Sequence, residues 1–366
     1  AIKLVRLWWK SRYTSGSPRA SEDEVMRLVA FLGERKNVRL FTQDYKQVES
    51  CVKLLYGNLR FNKNNMMNVH PSPLLPSIVA SVAAMLQNPN NLSSKTSPAT
   101  TLMEKECISQ LAKLVGFYHG RGRVEPDGNI VSCGTVSNLT ALLVAREKRY
   151  KNIEVQNKRS FREFGLFEAP KCVIVASASA HYSIRRAARI LGLGERCLVE
   201  IPLASEDEIR SFEESGVPFR LKPPKEVYSE KLSRLSGEAG KSKGKNQAIL
   251  SVIASLGTIN TGTVEPIKPL LGLRDEYGFH LHIDAAIGGF ALGIDEIRDK
   301  ASGVEAADSI TIDPHKLGFV GYPCSAILFR DKSDLDLISM DIPYLGSRTN
   351  SIEGARPGFS AAGLWV

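Results

Sequence analysis

Four runs in this sequence place reactive side chains directly after short apolar segments. The last is Asp313-Pro314-His315-Lys316, which follows the segment from Asp308 to Ile312. A lysine amine condenses with an aldehyde to a Schiff base when its surroundings lower its pKa. His315 beside it could hold a phosphate oxygen. A solvated loop lysine would leave the same trace. Upstream, Asp284 ends the run Leu281-His282-Ile283 and precedes Ala285-Ala286-Ile287-Gly288-Gly289. A carboxylate at the end of an apolar strand is costly unless it is paired. A protonated aromatic ring nitrogen is one such partner, and the small residues leave room for a flat ring. An aspartate capping a helix is the other reading.

Two earlier runs complete the set. His181, in Ala178-Ser179-Ala180-His181-Tyr182-Ser183, stands at a strand-to-helix junction, either at a site edge or as a plain cap. In Ser132-Cys133-Gly134-Thr135-Val136-Ser137-Asn138, Gly134 lets backbone approach a ligand closely, and the helix N-terminus that follows is a natural phosphate seat. A tight turn capped by Thr or Ser fits the same residues. Each signal is modest alone. Their order is more telling: phosphate loop, ring-stacking histidine, strand-end aspartate, then lysine. An aldehyde cofactor with a phosphate, a flat ring and a pyridine nitrogen calls for those four parts.

The elements that must position these residues follow from periodicity. Helical patterns cover 21–60, 74–86, 99–115, 135–148, 181–191 and 270–277. The first opens on a capping box from Ser21 to Glu24. Short apolar runs at 129–133, 172–176, 196–201, 248–255, 280–284, 308–312 and 326–329 read as strands. Strands alternating with helices imply an α/β fold, a mostly parallel sheet covered on both faces. Ligands of such sheets collect at the carboxyl ends of the strands, where the four runs lie.

Composition sets the outer limits. The 366 residues are 43% hydrophobic and 24% charged, enough for a sizeable core with a smaller appendage. No apolar run approaches the roughly 20 residues of a membrane span. Ala1 to Lys10 lacks a signal-peptide cleavage pattern and reads as a helix or arm of the fold. The net charge of +9 raises nucleic-acid binding, but the basic residues are scattered. The densest cluster, Lys241 to Lys245, lies in a Gly/Ser-rich loop. A solvated basic face and no nucleic-acid partner is the reading. The six cysteines, Cys51, Cys107, Cys133, Cys172, Cys197 and Cys324, form no CxxC pair. That spacing argues for free thiols, no metal site and a cytoplasmic protein.

The run Asp313-Pro314-His315-Lys316 resembles the PLP-lysine motif of the group II pyridoxal-phosphate (PLP) decarboxylases. Ser97-Pro98-Ala99-Thr100-Thr101, Leu281-His282-Ile283-Asp284-Ala285-Ala286 and Ser351-Ile352-Glu353-Gly354-Ala355-Arg356-Pro357-Gly358 are similar to further elements of that family. Asn88-Pro89-Asn90-Asn91 and Ser309-Ile310-Thr311-Ile312 look most like its bacterial and archaeal tyrosine decarboxylases. The likeness runs from about His70 to the C-terminus, with a variable stretch near 203–245.

The resemblance implies a PLP enzyme of fold type I, like aspartate aminotransferase, with a mostly parallel seven-stranded sheet between helices. It implies a homodimer with its sites at the subunit interface. The divisions are then an N-terminal helical segment (1–90), a large PLP-binding domain (91–340), and a mobile loop with the start of a truncated small domain (341–366). Lys316 would carry PLP, His181 would stack on its ring, and Asp284 would pair with its ring nitrogen, with Ala286 against the ring. Gly134 and Thr135, helped by Asp313 and His315, would bind the phosphate. Thr101 and Arg356 fall on the substrate side. Thr258 would reach the ring oxygen, since Ile259 stands where the family often has a second Thr. Tyr344 and Tyr322 are the candidates for reprotonating the carbon after CO2 leaves. The implied reaction is decarboxylation of an L-amino acid, a tyrosine-like one favoured. The alternatives are a PLP carbon–carbon lyase of the sphingosine-phosphate lyase type and a catalytically silent member.

Overall fold

The computed structural model describes residues 69–119, 125–157, 165–166, 169–203, 225–241 and 248–366. They belong to one unit, Val69–Val366. The helical pattern at 21–60, the arm from Ala1 to Lys10 and most of the basic run at 241–245 lie outside them.

The seven expected strands form one sheet: β1 (Asp127–Val131), β2 (Cys172–Ser177), β3 (Leu198–Ile201), β4 (Ala248–Ser255), β5 (His280–Asp284), β6 (Ser309–Ile312) and β7 (Ser325–Phe329). Their order across the sheet is β1-β7-β6-β5-β4-β2-β3. The pairings from β6 through β3 are parallel; β7 runs antiparallel to both its neighbours, β6 and β1. β2, β5, β6 and β7 are buried at every residue. β2 and β7 accordingly read as near-continuous apolar runs, whereas β5 and β6 alternate apolar residues with buried polar ones, His280, His282 and Asp284 in β5 and Ser309 and Thr311 in β6.

Alternation still decides which face each side chain enters. Val173 and Val175 of β2 join the core beneath α2 (Pro98–Val115), α5 (Lys225–Lys241) and α6 (Ile267–Tyr277). Cys172, Ile174 and Ala176 point the other way. They pack with Leu142 of α3 (Gly134–Asn157) and with Ile184 and Ala187 of α4 (Ser183–Ile190). Each fully buried Ile, Leu or Val contributes roughly 1.5–3 kcal/mol.

The C-terminal residues close onto this unit. α9 (Gly358–Trp365) packs against α2 and against α1 (Leu75–Met85). α7 (Asp295–Lys300) and α8 (Lys332–Asp336) are short connectors, and β8 (Met340–Ile342) pairs with β9 (Ser347–Thr349) as a hairpin. Among the described residues, no helix is long and apolar enough to cross a membrane, and no cluster of His, Cys, Asp or Glu could hold a metal.

Candidate active site

The carboxyl ends of β1, β2, β4, β5 and β6 open on one cavity of about 450 Å³. Ten of the expected residues line it: Gly134, Thr135, His181, Thr258, Asp284, Ala286, Asp313, His315, Lys316 and Tyr322. Runs far apart in sequence meet because parallel strands deliver their ends to the same edge.

Lys316 Nζ lies 3.0 Å from Asp313 Oδ2. Asp313 is almost fully buried and also accepts the Ser325 hydroxyl at 2.5 Å. Burial pushes the Asp313 carboxyl upward, and the Lys316 ammonium pulls it back. Antiparallel β7 starts at this edge, which is how Ser325 reaches the end of β6. Burial drives His315 down to about 3, so its ring is neutral. Its Nδ1 is buried with no hydrogen-bond partner among the described residues.

Asp284 Oδ1 takes the backbone N–H of Ala286 at 3.2 Å, and Oδ2 takes the Asn138 amide at 2.9 Å. His181 precedes α4 instead of lying inside it as expected. Its Nδ1 accepts the N–H of Ser183, the first residue of α4, at 3.3 Å. Burial lowers its pKa, with Asp284 acting against the shift.

Two backbone features leave space for a flat, phosphorylated molecule. A Cβ at Gly134 would come within 2.8 Å of Asp313 Oδ2. Gly257 holds φ at +89°, and a Cβ there would lie 3.1 Å from the Gly288 nitrogen. With the partnerless His315 Nδ1, these residues fit the parts PLP presents.

Three expected residues stand elsewhere. Arg356 is buried and ion-paired with Glu104, and it donates to the Ile130 and Asn91 carbonyls at 2.8 Å each. Its two terminal nitrogens tie α2 to β1 and to Asn91, while its Nε is buried with no hydrogen-bond partner among the described residues. Thr101 Oγ1 is buried without a partner among the described residues and does not line the cavity. Tyr344 sits on the β8–β9 turn at 79% exposure. Tyr322, by contrast, stacks on His315 with centroids 3.8 Å apart, and its hydroxyl meets His70 Nδ1 at 3.1 Å. Thr258 lines the cavity, but its hydroxyl is also bonded within its own turn, to Thr261.

Sequence reasoning missed Asn138, His70, Tyr182 and Arg186, which also line the cavity. Asn138 had a signal: it lies one helical turn after Gly134, on the same face.

A lysine just past a strand end, an aspartate anchored one strand away and a glycine-led helix start are the parts that a PLP-binding site of fold type I calls for. Residues 46–360 match the pyridoxal-dependent decarboxylase conserved domain, and the chain belongs to that family. It is 26% identical over 363 residues to an L-2,4-diaminobutyrate decarboxylase of Acinetobacter baumannii, covering 97% of this chain and 64% of that protein. It is 32% identical to a probable L-tyrosine/L-aspartate decarboxylase of Methanothermobacter thermautotrophicus, over 73% of this chain and 60% of that one. The crystal structure of mouse CSAD shares the fold, with a TM-score of 0.70 at 22% identity, over 93% of this chain and 66% of that one. The chain thus spans about three fifths of the length of these two curated relatives.

Proposed function

We propose that this chain carries the PLP site of an enzyme that decarboxylates an L-amino acid, with Lys316 as the cofactor lysine. The observation that carries the reading is Lys316 Nζ beside buried Asp313 in the cavity that Asp284, from the neighbouring strand, also lines. Bound PLP supplies an electron sink for the charge left on the α-carbon when CO2 departs.

The chain's own residues do the rest. Asp284 would hold a proton on the ring nitrogen, His181 would cover the ring face, and Gly134 and Thr135, helped by Asp313 and His315, would seat the phosphate. Thr258 would reach the ring oxygen. Tyr322 delivers the proton to the α-carbon. Burial, with Asp313 nearby, raises its hydroxyl to about 12, so it keeps its proton at neutral pH. A homodimer in the cytoplasm is part of the same proposal. The free state of Cys107, Cys133, Cys172, Cys197 and Cys324 is in keeping with it.

The sequence resemblance favours a tyrosine-like substrate. A second reading, a substrate with a distal carboxylate, is favoured by Arg186. It lines the cavity with its guanidinium 4.8 Å over the Tyr182 ring, and no carboxylate pairs with it among the described residues. The archaeal relative, a probable L-tyrosine/L-aspartate decarboxylase, is in keeping with either reading.

The test is the visible spectrum with PLP, before and after borohydride, against Lys316→Ala, followed by CO2 release from tyrosine, aspartate and 2,4-diaminobutyrate. A band reduced onto the chain and lost in the variant is expected. No band in the unmodified chain overturns the reading.

A further inference from the structure

A chain of buried polar groups leads away from the cavity behind Asp284, and each bond in it has a defined direction. Asn138 is its centre. Its Oδ1 accepts from Thr311 Oγ1 at 2.8 Å and lies 3.0 Å from His282 Nε2. Its Nδ2 lies 2.9 Å from both Asp284 Oδ2 and Ser183 Oγ. All four hydrogen-bonding positions of the amide are therefore used, and the amide cannot flip without losing them.

Beyond Asn138, His282 Nδ1 meets Ser309 Oγ at 2.8 Å, and Ser309 Oγ meets His280 Nε2 at 2.7 Å. The end of the chain sets the direction. His280 Nδ1 is buried and has no partner among the described residues. If that atom carried a hydrogen, a buried donor would be left unmade, which is expensive. Placing the hydrogen on Nε2 leaves only an unused lone pair. His280 then donates to Ser309, Ser309 to His282, His282 to Asn138, and Asn138 to Asp284. Successive donors aligned this way polarise one another. Burial lowers both histidines, His282 to about 3, consistent with neutral rings.

Asn138 also reaches the start of α4, next to His181. Its second N–H goes to Ser183 Oγ, which lies 2.9 Å from His181 Nδ1. One side chain thus holds Asp284 directly and His181 through Ser183. The charged and titratable groups facing Asp284 are His181 near α4, His282 of β5, Glu265 after β4, and Asp313 and Lys316 after β6.

We propose that the aligned chain His280–Ser309–His282–Asn138 is a positioning device that holds Asp284 as an oriented carboxylate and, through Ser183, fixes His181. His280, Ser309 and His282 lie outside the cavity lining and act through Asn138, which lines it. The inference rests on the PLP reading above.

The experiment compares the unmodified chain with His282→Leu, Asn138→Asp, Thr311→Val and the conservative His282→Gln. Circular dichroism establishes folding. The readouts are the PLP dissociation constant and the pH titration of the visible band of the PLP-loaded protein. His282→Leu and Asn138→Asp are expected to weaken PLP binding at least tenfold and to shift the titration. His282→Gln, which can still donate, is expected to recover most of the loss. Thr311→Val removes only the second donor to Asn138, so it stays informative if a harsher variant does not fold; it is expected to weaken binding about threefold.

Folded variants with unchanged affinity and titration overturn the inference alone. Variants that merely lose stability, with normal binding in the folded fraction, overturn it too. A band missing from the unmodified chain overturns the reading beneath it as well.

Discussion

Lys316 Nζ and Asp313 Oδ2 stand 3.0 Å apart at the end of β6, and Asp313 is 2% exposed. The pair is the electrostatic centre of the cavity floor. Removing the cation strands a buried carboxylate, which costs about 3 kcal/mol. Lys316→Ala should therefore lower the stability of the PLP-free protein by about that amount in urea unfolding. Adding Asp313→Asn should restore most of it. Strictly additive losses in this double-mutant cycle would refute the coupling.

Arg356 makes a prediction that separates architecture from chemistry. Its guanidinium is buried against Glu104 and two carbonyls, away from the cavity. Arg356→Met should cost about 3–5 kcal/mol in denaturant unfolding. At temperatures where the variant stays folded, PLP affinity should remain within about twofold of the unmodified chain. A stable variant with impaired ligand binding would return Arg356 to the substrate side.

Acid should destabilise the fold through its buried histidines. Burial lowers His280, and lowers His282 and His315 to about 3, whereas an unfolded ring titrates near 6.5. Between those values the unfolded chain binds more protons than the folded one. The histidines' contribution is thus full above about pH 6.5 and is lost as pH falls toward 3. The slope is up to about 1.4 kcal/mol per pH unit for each ring. Asp313 and Glu265, raised by burial, act in the opposite sense. Replacing one ring isolates its share, since the carboxylates are common to both proteins. His280→Gln should flatten the acid limb of a stability–pH curve from urea melts; an unchanged limb would contradict the assignment.

Tyr322 should matter to chemistry more than to folding. Tyr322→Phe keeps the stacking surface on His315 and removes the hydroxyl that meets His70. CO2-forming turnover should fall by about 10²–10³, the usual weight of a positioned acid. PLP affinity and melting temperature should hardly change. Turnover within threefold of the unmodified chain would exclude Tyr322 as the proton donor.

Gly134→Ala tests the cradle. The new Cβ would lie 2.8 Å from Asp313 Oδ2, so the helix start or the aspartate must shift. A roughly tenfold weaker PLP affinity is expected in a titration. Undiminished affinity would mean that the phosphate is held elsewhere.

Much of the molecule was legible before folding was considered. β4 and β5 begin and end where the runs at 248–255 and 280–284 do, because Ile249, Leu250, Val252 and Ile253 of the one and Leu281 and Ile283 of the other are buried in the sheet, while the polar His280, His282 and Asp284 are accommodated there by hydrogen bonds. Gly134, His181, Asp284 and Lys316 stood out because each follows such a run, and a parallel sheet sends those positions to one edge.

Tertiary structure alone decided which other side chains join them. Arg356 and Tyr344 looked functional from their motifs and positions. Yet Arg356 turns inward to Glu104, while Tyr344 stands exposed on a hairpin. Asn138, His282 and Thr311 come from one helix and two neighbouring strands, and their amide, ring and hydroxyl meet within hydrogen-bonding distance. Periodicity shows which face of an element a residue occupies. It carries no information about which other element will pack against that face, and the direction of each hydrogen bond behind Asp284 depends on that packing.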